Sequence, residues 1–205
     1  MKDKTVILCP TGSEAVCFAG TLPEGIPVVI GGVGMAATAA AVTRILAGGR
    51  PRRLILAGIA GAYPSSGLEV GDCVLVGTER VADQGAFRDG RFKPLYAEEY
   101  SCPYAEEAAR KFAAAENGAA GALPVVQGCT VNAAANGFAD FADGAVESME
   151  GAVFFAVCAA AGIPFLEVRA VSNLTTASRG EWRMDLAARA LADTLKILLE
   201  HENHA

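Results

Sequence analysis

Histidine is almost missing from this sequence. Of 205 residues only His201 and His204 are histidines, both among the last five. That scarcity removes the Ser-His-Asp and Cys-His machineries and nearly all histidine-based metal sites, so acid–base chemistry must rest mainly on carboxylates. The six cysteines (Cys9, Cys17, Cys73, Cys102, Cys129 and Cys158) form no CxxC pair, and most lie inside apolar segments. They read as reduced, buried small hydrophobes. Basic charge is not in excess either: 17 Lys and Arg against 23 Asp and Glu give a formal charge of −6. A nucleic-acid or anionic-membrane partner is therefore not expected. No stretch long enough to span a bilayer is free of Gly, Pro or charge. The apolar run near the N-terminus is cut by Pro10 before it could form a signal-peptide core. A cytoplasmic protein without metal is the expectation.

What is present is a soluble globular composition, 52% hydrophobic and 20% charged, with no shift along the chain that argues for more than one domain over residues 1–205. Apolar strand candidates at Thr5–Cys9, Pro27–Ile30, Leu54–Ala57, Val70–Val76 and Leu123–Val126 alternate with helical patterns. Those helices follow Gly34, run over Tyr104–Ala115 and close the chain over Trp182–Leu199. Residues Glu79–Pro94, polar and punctuated by Gly, read as a loop or edge ribbon. The alternation predicts an α/β protein, a sandwich around a largely parallel sheet. Four of the strands run into small or Gly-rich turns, where a backbone can approach a ligand closely.

The most informative stretch is VESMEGAVFFAVCAAAGIPFLEVRAVSN, Val146 to Asn173. Gly151 to Ala161 is small or apolar throughout, as befits a helix packed on several sides. Gly162 fits its C-cap and Pro164 a stop just beyond. Phe165 to Val171 then reads as a strand near a sheet's end, interrupted by Glu167 and Arg169. The polar clusters at either end, Glu147 to Glu150 and Arg169 to Asn173, can meet at one sheet edge, where open α/β proteins place ligands.

Several motifs permit two readings. Gly32-Val33-Gly34-Met35-Ala36-Ala37 is a GxGxxA between strand and helix, but no Asp or Glu follows between Gly34 and Glu69 to take a ribose hydroxyl. It reads as a tight turn beside a pocket, and NAD is disfavoured. Glu14 is either a helix-start carboxylate favoured by the local dipole or a site acid. Glu150 opens an apolar helix and so must face a partner or a pocket, since an unpaired buried charge is costly. Arg169 is open between an ion pair with Glu147 or Glu167 and a role in the site. Asn173 is open between a strand-ending turn and a binding residue, and Trp182 between core and cavity.

Taken together these features resemble the nucleoside phosphorylase/hydrolase superfamily, typified by purine nucleoside phosphorylases and methylthioadenosine/S-adenosylhomocysteine nucleosidases. The resemblance rests on Glu14 after the first strand, GGVGMAATAA, LILAGIAGAYPSSGLEVGDCVLV, QGCTVN, MEGAVFFAVCAAAGIPF and RAVSN. VESMEG, VRAVSN and SRGEW are most similar to the branch that hydrolyses futalosine in menaquinone biosynthesis. The resemblance implies a three-layer αβα sandwich with a central mixed, largely parallel sheet, and one nucleoside phosphorylase/hydrolase-like domain over residues 1–205. It implies no cofactor, a small-molecule nucleoside substrate, and a homodimer or higher homo-oligomer. Residue by residue, Glu14 takes the part of the water-activating carboxylate, Arg169 that of the arginine near the water, and Asn173 that of the base-binding residue. Met149 and Glu150 take that of the ribose-binding pair. Ile59, Ala60 and Gly61, with Thr130, Val131 and Asn132, would line ribose and base, and Trp182 would cover the 5′-substituent.

Two departures refine the expectation. Asn173 stands where adenine-specific nucleosidases carry Asp. An amide donates as well as accepts, which suits a 6-oxopurine leaving group such as hypoxanthine. Ile59 stands where a hydroxyl residue is common, and no arginine lies from Gly58 to Gly71 to hold phosphate. Water is the expected nucleophile. Cleavage of methylthioadenosine, phosphorolysis and non-catalytic nucleoside binding stay open as alternatives, as does the choice among Arg88, Arg91, Arg179 and Arg183 as partner for a substrate carboxylate.

Overall fold

The computed structural model describes residues 1–18, 20–95, 98–115, 123–134 and 144–200. Strand β1 (Thr5–Cys9) is buried along its whole length and pairs in parallel with β2 (Val28–Ile30) and with β3 (Arg53–Ala62). The polar turn after β1 becomes a single helical turn, α1 (Gly12–Ala15), capped by the Thr11 side chain. After β2 the GGVG turn uses two glycines at positive φ, Gly32 at 91° and Gly34 at 88°, to enter α2 (Met35–Ala47).

β3 runs further than the apolar residues Leu54–Ala57 predict. It continues through Gly58-Ile59-Ala60-Gly61-Ala62, a segment that reads as a turn from its glycines. They mark close approach instead. A Cβ at Gly58 would stand 2.7 Å from Arg169 Nη1, and one at Gly61 3.1 Å from Asn173 Nδ2, both on the neighbouring strand. That neighbour is β10 (Phe165–Leu174), parallel to β3 over nearly its full length.

The sheet then curls back on itself. β10 pairs antiparallel with β4 (Cys73–Val81), β4 in parallel with β8 (Val125–Thr130), and β8 in parallel with the three-residue β9 (Val146–Ser148). β9 returns to β3 in antiparallel register through Gly61↔Glu147 and Ala62↔Val146. β4 begins later than Val70, because Gly71 turns at φ 100°, and ends at Val81, inside the segment expected to be loop. The rest of that segment is a separate hairpin of β5 (Gly85–Arg88) and β6 (Arg91–Pro94), and β7 (Glu99–Ser101) adds to the edge of β4.

Helix α4 (Gly151–Ala160) packs against α2 and lies over β4 and β8, while α3 (Ala105–Ala115) packs against α5 (Met184–Glu200). The apolar α4 is buried on more than one side, with Phe154 and Phe155 fully enclosed and edge-on to Phe165 of β10. Its C-cap is Ala161 rather than Gly162, which follows in the left-handed region at φ 62°. The result is a mixed α/β fold whose central sheet is covered by helices. Among the described residues, no helix is long and apolar enough to cross a membrane.

Candidate active site

A cavity of about 570 Å³ opens where the carboxyl ends of β1, β3 and β10 meet the amino ends of α2 and α4. Its volume is in the range of small-molecule sites. Glu14, Ile59, Ala60, Gly61, Met149, Glu150, Arg169, Asn173 and Trp182 all line it. The structure thus brings together residues that are far apart in sequence.

Glu14 is buried although it sits on a one-turn helix just past β1. Its Oε1 accepts from the Ile59 backbone N–H at 3.0 Å, and its Oε2 from the Thr11 hydroxyl. Glu150, also buried, stands at the N-cap of α4. Its Oε1 accepts from the Gly34 N–H at 2.9 Å, and its Oε2 from the Met149 N–H at 3.3 Å and from Arg169 Nη2 at 3.1 Å. The GxGxxA turn therefore serves the site through one backbone donor, with Val33 on the cavity wall.

Arg169 is 1% exposed and spends its donors inside the protein: Nε on Glu167 Oε1 at 2.7 Å, Nη1 on the Ile59 carbonyl at 3.2 Å, and Nη2 on Glu150. Burial works against its charge. The adjacent Glu167 and Glu150 carboxylates outweigh that and raise its pKa further above the ordinary arginine value. Behind Glu14, burial and the Glu14 charge push the Cys9 thiol up to about 12, so it remains a thiol.

Asn173 owes its direction to a β-bulge. The β10 register passes from Val171↔Ala60 to Asn173↔Gly61 and leaves Ser172 unmatched, so the two consecutive residues Ser172 and Asn173 both reach the cavity. The Ser172 hydroxyl donates to Asn173 Oδ1 at 2.7 Å, and Asn173 Nδ2 donates to the Leu174 carbonyl at 2.9 Å. One amide hydrogen remains for a ligand.

Thr130, Val131 and Asn132 lie elsewhere. None of them lines the cavity. The Thr130 hydroxyl is buried under α4, accepting from the Ala152 N–H at 2.7 Å and donating to Glu79 Oε2 at 2.8 Å. Val131 packs with Tyr63, Ala82 and Cys129. The Asn132 side chain donates to Asp83 at 2.9 Å.

Sequence reasoning gave Thr11 no part in the site, and placed Gly34, Glu147 and Ser148 beside it only as members of a turn and a polar cluster, without individual roles. Thr11 carried a usable signal, since Thr-x-x-Glu before a helix is a capping pattern. Glu147 lines the cavity and accepts from the Tyr63 hydroxyl at 3.1 Å. Of the four arginines left open, Arg179 alone lines the cavity, its guanidinium 4.0 Å above the Trp182 ring. Arg88 and Arg91 sit on the exposed β5–β6 hairpin, and Arg183 faces Asp185 at 3.4 Å in solvent. Among the described residues no group of three or more His, Cys, Asp or Glu side chains is arranged to hold a metal ion.

Comparison with known proteins adds a family. The phosphorylase superfamily model matches residues 9–200. A futalosine hydrolase of Streptomyces coelicolor is 36% identical over 187 residues, covering 85% of this chain and 78% of that protein. Among solved structures, futalosine hydrolase of Helicobacter pylori superposes with a TM-score of 0.77 at 16% identity, over 98% of this chain and 99% of that one. The 5′-methylthioadenosine/S-adenosylhomocysteine nucleosidase of the same organism gives 0.77 at 17% identity over the whole of both chains. The S-adenosylhomocysteine nucleosidase of Streptococcus pyogenes gives 0.79 at 21%, over 98% and 97%. At those identities the structural matches establish the fold.

Proposed function

Because this chain belongs to the phosphorylase superfamily, we propose that its cavity hydrolyses the N-ribosidic bond of futalosine, releasing hypoxanthine and dehypoxanthine futalosine. The observation that carries this reading is the convergence of Glu14, Glu150 and Asn173 on one cavity, each held by donors or acceptors that fix its direction.

Hydrolysis of an N-riboside moves electron density into the purine while the sugar gains oxocarbenium character. Asn173 offers an amide hydrogen where the 6-oxopurine develops negative charge, and needs no reorganisation to do so. Glu14 accepts a proton from the incoming water. Its Ile59 and Thr11 donors hold the carboxylate in place for that transfer. Glu150 takes the ribose hydroxyls, with Arg169 and the Gly34 N–H setting its plane. Water rather than phosphate is the nucleophile on this reading. Arg169 is already committed to Glu150, Glu167 and Ile59, and Arg179 is stacked on Trp182. The Arg179–Trp182 wall suits the aromatic carboxylate of futalosine, one partner for the ring and one for the charge.

The same reading puts the enzyme in menaquinone biosynthesis and in the cytoplasm, where its six free cysteines stay reduced. It also makes the chain a single domain and a homodimer or higher homo-oligomer, as the family resemblance implies. The test is chromatography of products in phosphate-free buffer, with futalosine, inosine and methylthioadenosine offered separately and again with phosphate. Hypoxanthine from futalosine without phosphate is expected. Adenine from methylthioadenosine would overturn the role given to Asn173. Cleavage only with phosphate would make the enzyme a phosphorylase.

A further inference from the structure

Behind the cavity lie two carboxylates that the mechanism above does not use. Glu79 on β4 is 1% exposed and Glu167 on β10 is 0% exposed. Each has one oxygen engaged: Glu79 Oε2 accepts from Thr130, and Glu167 Oε1 from Arg169. Each has one buried oxygen, Glu79 Oε1 and Glu167 Oε2, with no hydrogen-bond partner among the described residues. The two orphaned oxygens converge on one point. A Cβ built on Gly151 would stand 2.1 Å from the first and 2.6 Å from the second.

This arrangement has a local origin. A bulge at Gly77, where the β4–β8 register jumps from Val76↔Val126 to Thr78↔Gln127, turns Glu79 inward. Gly128 of β8 and Gly151 of α4 leave room for it, since a Cβ at Gly128 would lie 2.3 Å from Glu79 Oε1.

Two ionised carboxylates cannot share such a place. Around them stand Glu150 at the head of α4, Glu14 on α1, Arg169 on β10, and the thiols of Cys102 beside β7 and Cys129 on β8. One guanidinium would then face four carboxylates, and uncompensated buried charge costs several kcal/mol. We propose that Glu79 and Glu167 hold one proton between them, on Glu79 Oε1 and donated to Glu167 Oε2, as positioning residues for the Arg169–Glu150 pair. A single proton then satisfies both orphaned oxygens. Thr130 bonds the carbonyl oxygen of the acid, and Glu167 stays ionised against Arg169. Burial, and after it the Glu167 charge, raise the Glu79 pKa well above the ordinary glutamate range, in keeping with that placement.

The consequence is a relay of fixed contacts from Thr130 through Glu79, Glu167 and Arg169 to Glu150. Loss of the shared proton at alkaline pH sets two anions against each other beneath Arg169 and disturbs the seat of Glu150. The shared proton stands independently of the activity, whereas its positioning role rests on the nucleosidase reading.

Infrared spectroscopy of the purified full-length protein at neutral pH tests the first. A protonated carboxylic C=O band is expected that disappears in Glu79→Gln and persists in Glu150→Gln. Absence of that band in the unsubstituted protein, or its persistence in Glu79→Gln, would overturn the proposal whatever the substrate. The pH profile of futalosine cleavage tests the role. Glu79→Ala is expected to lower kcat/KM about tenfold or more, and Glu79→Gln, an uncharged isostere of the acid, to restore most of it and move the alkaline limb upward. An alkaline limb in Glu79→Gln identical to that of the unsubstituted protein would end the positioning role while leaving the infrared result to stand.

Discussion

Four carboxylates surround Arg169, in two pairs that differ in one respect. In the pair facing the cavity, every oxygen has a donor: Ile59 N–H and the Thr11 hydroxyl for Glu14, Gly34 N–H, Met149 N–H and Arg169 for Glu150. In the pair behind it, each carboxylate has one donor and one bare oxygen. Three of the donors to the front pair are backbone N–H groups, which cannot be withdrawn without unmaking the fold. Such donors fix the carboxylate oxygens as acceptors, the part that the proposed mechanism asks of them toward water and sugar hydroxyls. The rear pair is left short of donors, and a short supply of donors favours a proton. On the proposed reading, the two sets of glutamates around Arg169 serve opposite ends, one as acceptors for a ligand and one as an internal brace.

Substitutions that make one pair resemble the other probe this contrast. The largest effect is expected at the front. Glu14→Gln removes the acceptor for the water proton and should lower kcat by about 10²–10⁴-fold. Hypoxanthine binding by calorimetry should stay largely intact, and turnover near the original level would remove Glu14 from its role. Next comes the cation common to both pairs. Arg169→Met leaves buried carboxylates without their partner and should cost about 3–5 kcal/mol in urea denaturation. A loss below about 1 kcal/mol would mean the pairs are stable without it.

Smaller is Gly151→Ala, which drives a methyl between the two bare oxygens and should cost about 1–3 kcal/mol by overpacking. That cost should shrink when Glu79→Ala is added, and simple additivity of the two changes would deny their contact. The smallest effect is the slope of stability with pH. The folded-state pKa of Glu79 is raised, so the stability it lends is present below the ordinary glutamate value and is lost as pH rises through the raised one. The thermal unfolding midpoint should therefore fall with rising pH less steeply in Glu79→Gln than in the unsubstituted protein. Parallel declines would contradict a protonated Glu79.

Parts of this design could be read from the residues alone. The unit from β9 through α4 to β10 announced itself by an apolar run between two polar clusters, and the structure brings those clusters to one cavity edge. The return of β9 to β3 was not legible, because three residues are too short to carry a strand pattern. Gly58 and Gly61 were read as a turn because nothing in a sequence says that the neighbouring strand will need the space of a side chain. Glu79 fell in a polar segment and so looked solvated. Only the bulge at Gly77 and two glycines on other elements reveal that it faces inward. Thr130 to Asn132 looked like a ligand-facing strand end, but whether a strand's last residue points to ligand or to helix depends on the curl of the sheet.

Gly151 has an evolutionary consequence. Its hydrogen occupies the one gap that two buried glutamates leave, so the three positions are not free to drift separately. In descendants and relatives of this protein, glycine here should be inherited together with glutamate at both 79 and 167. Alanine should become admissible only in lineages where at least one of those acids has already been exchanged for a shorter or apolar residue. The order of those replacements, acid first and glycine second, would be written in the branching of the family.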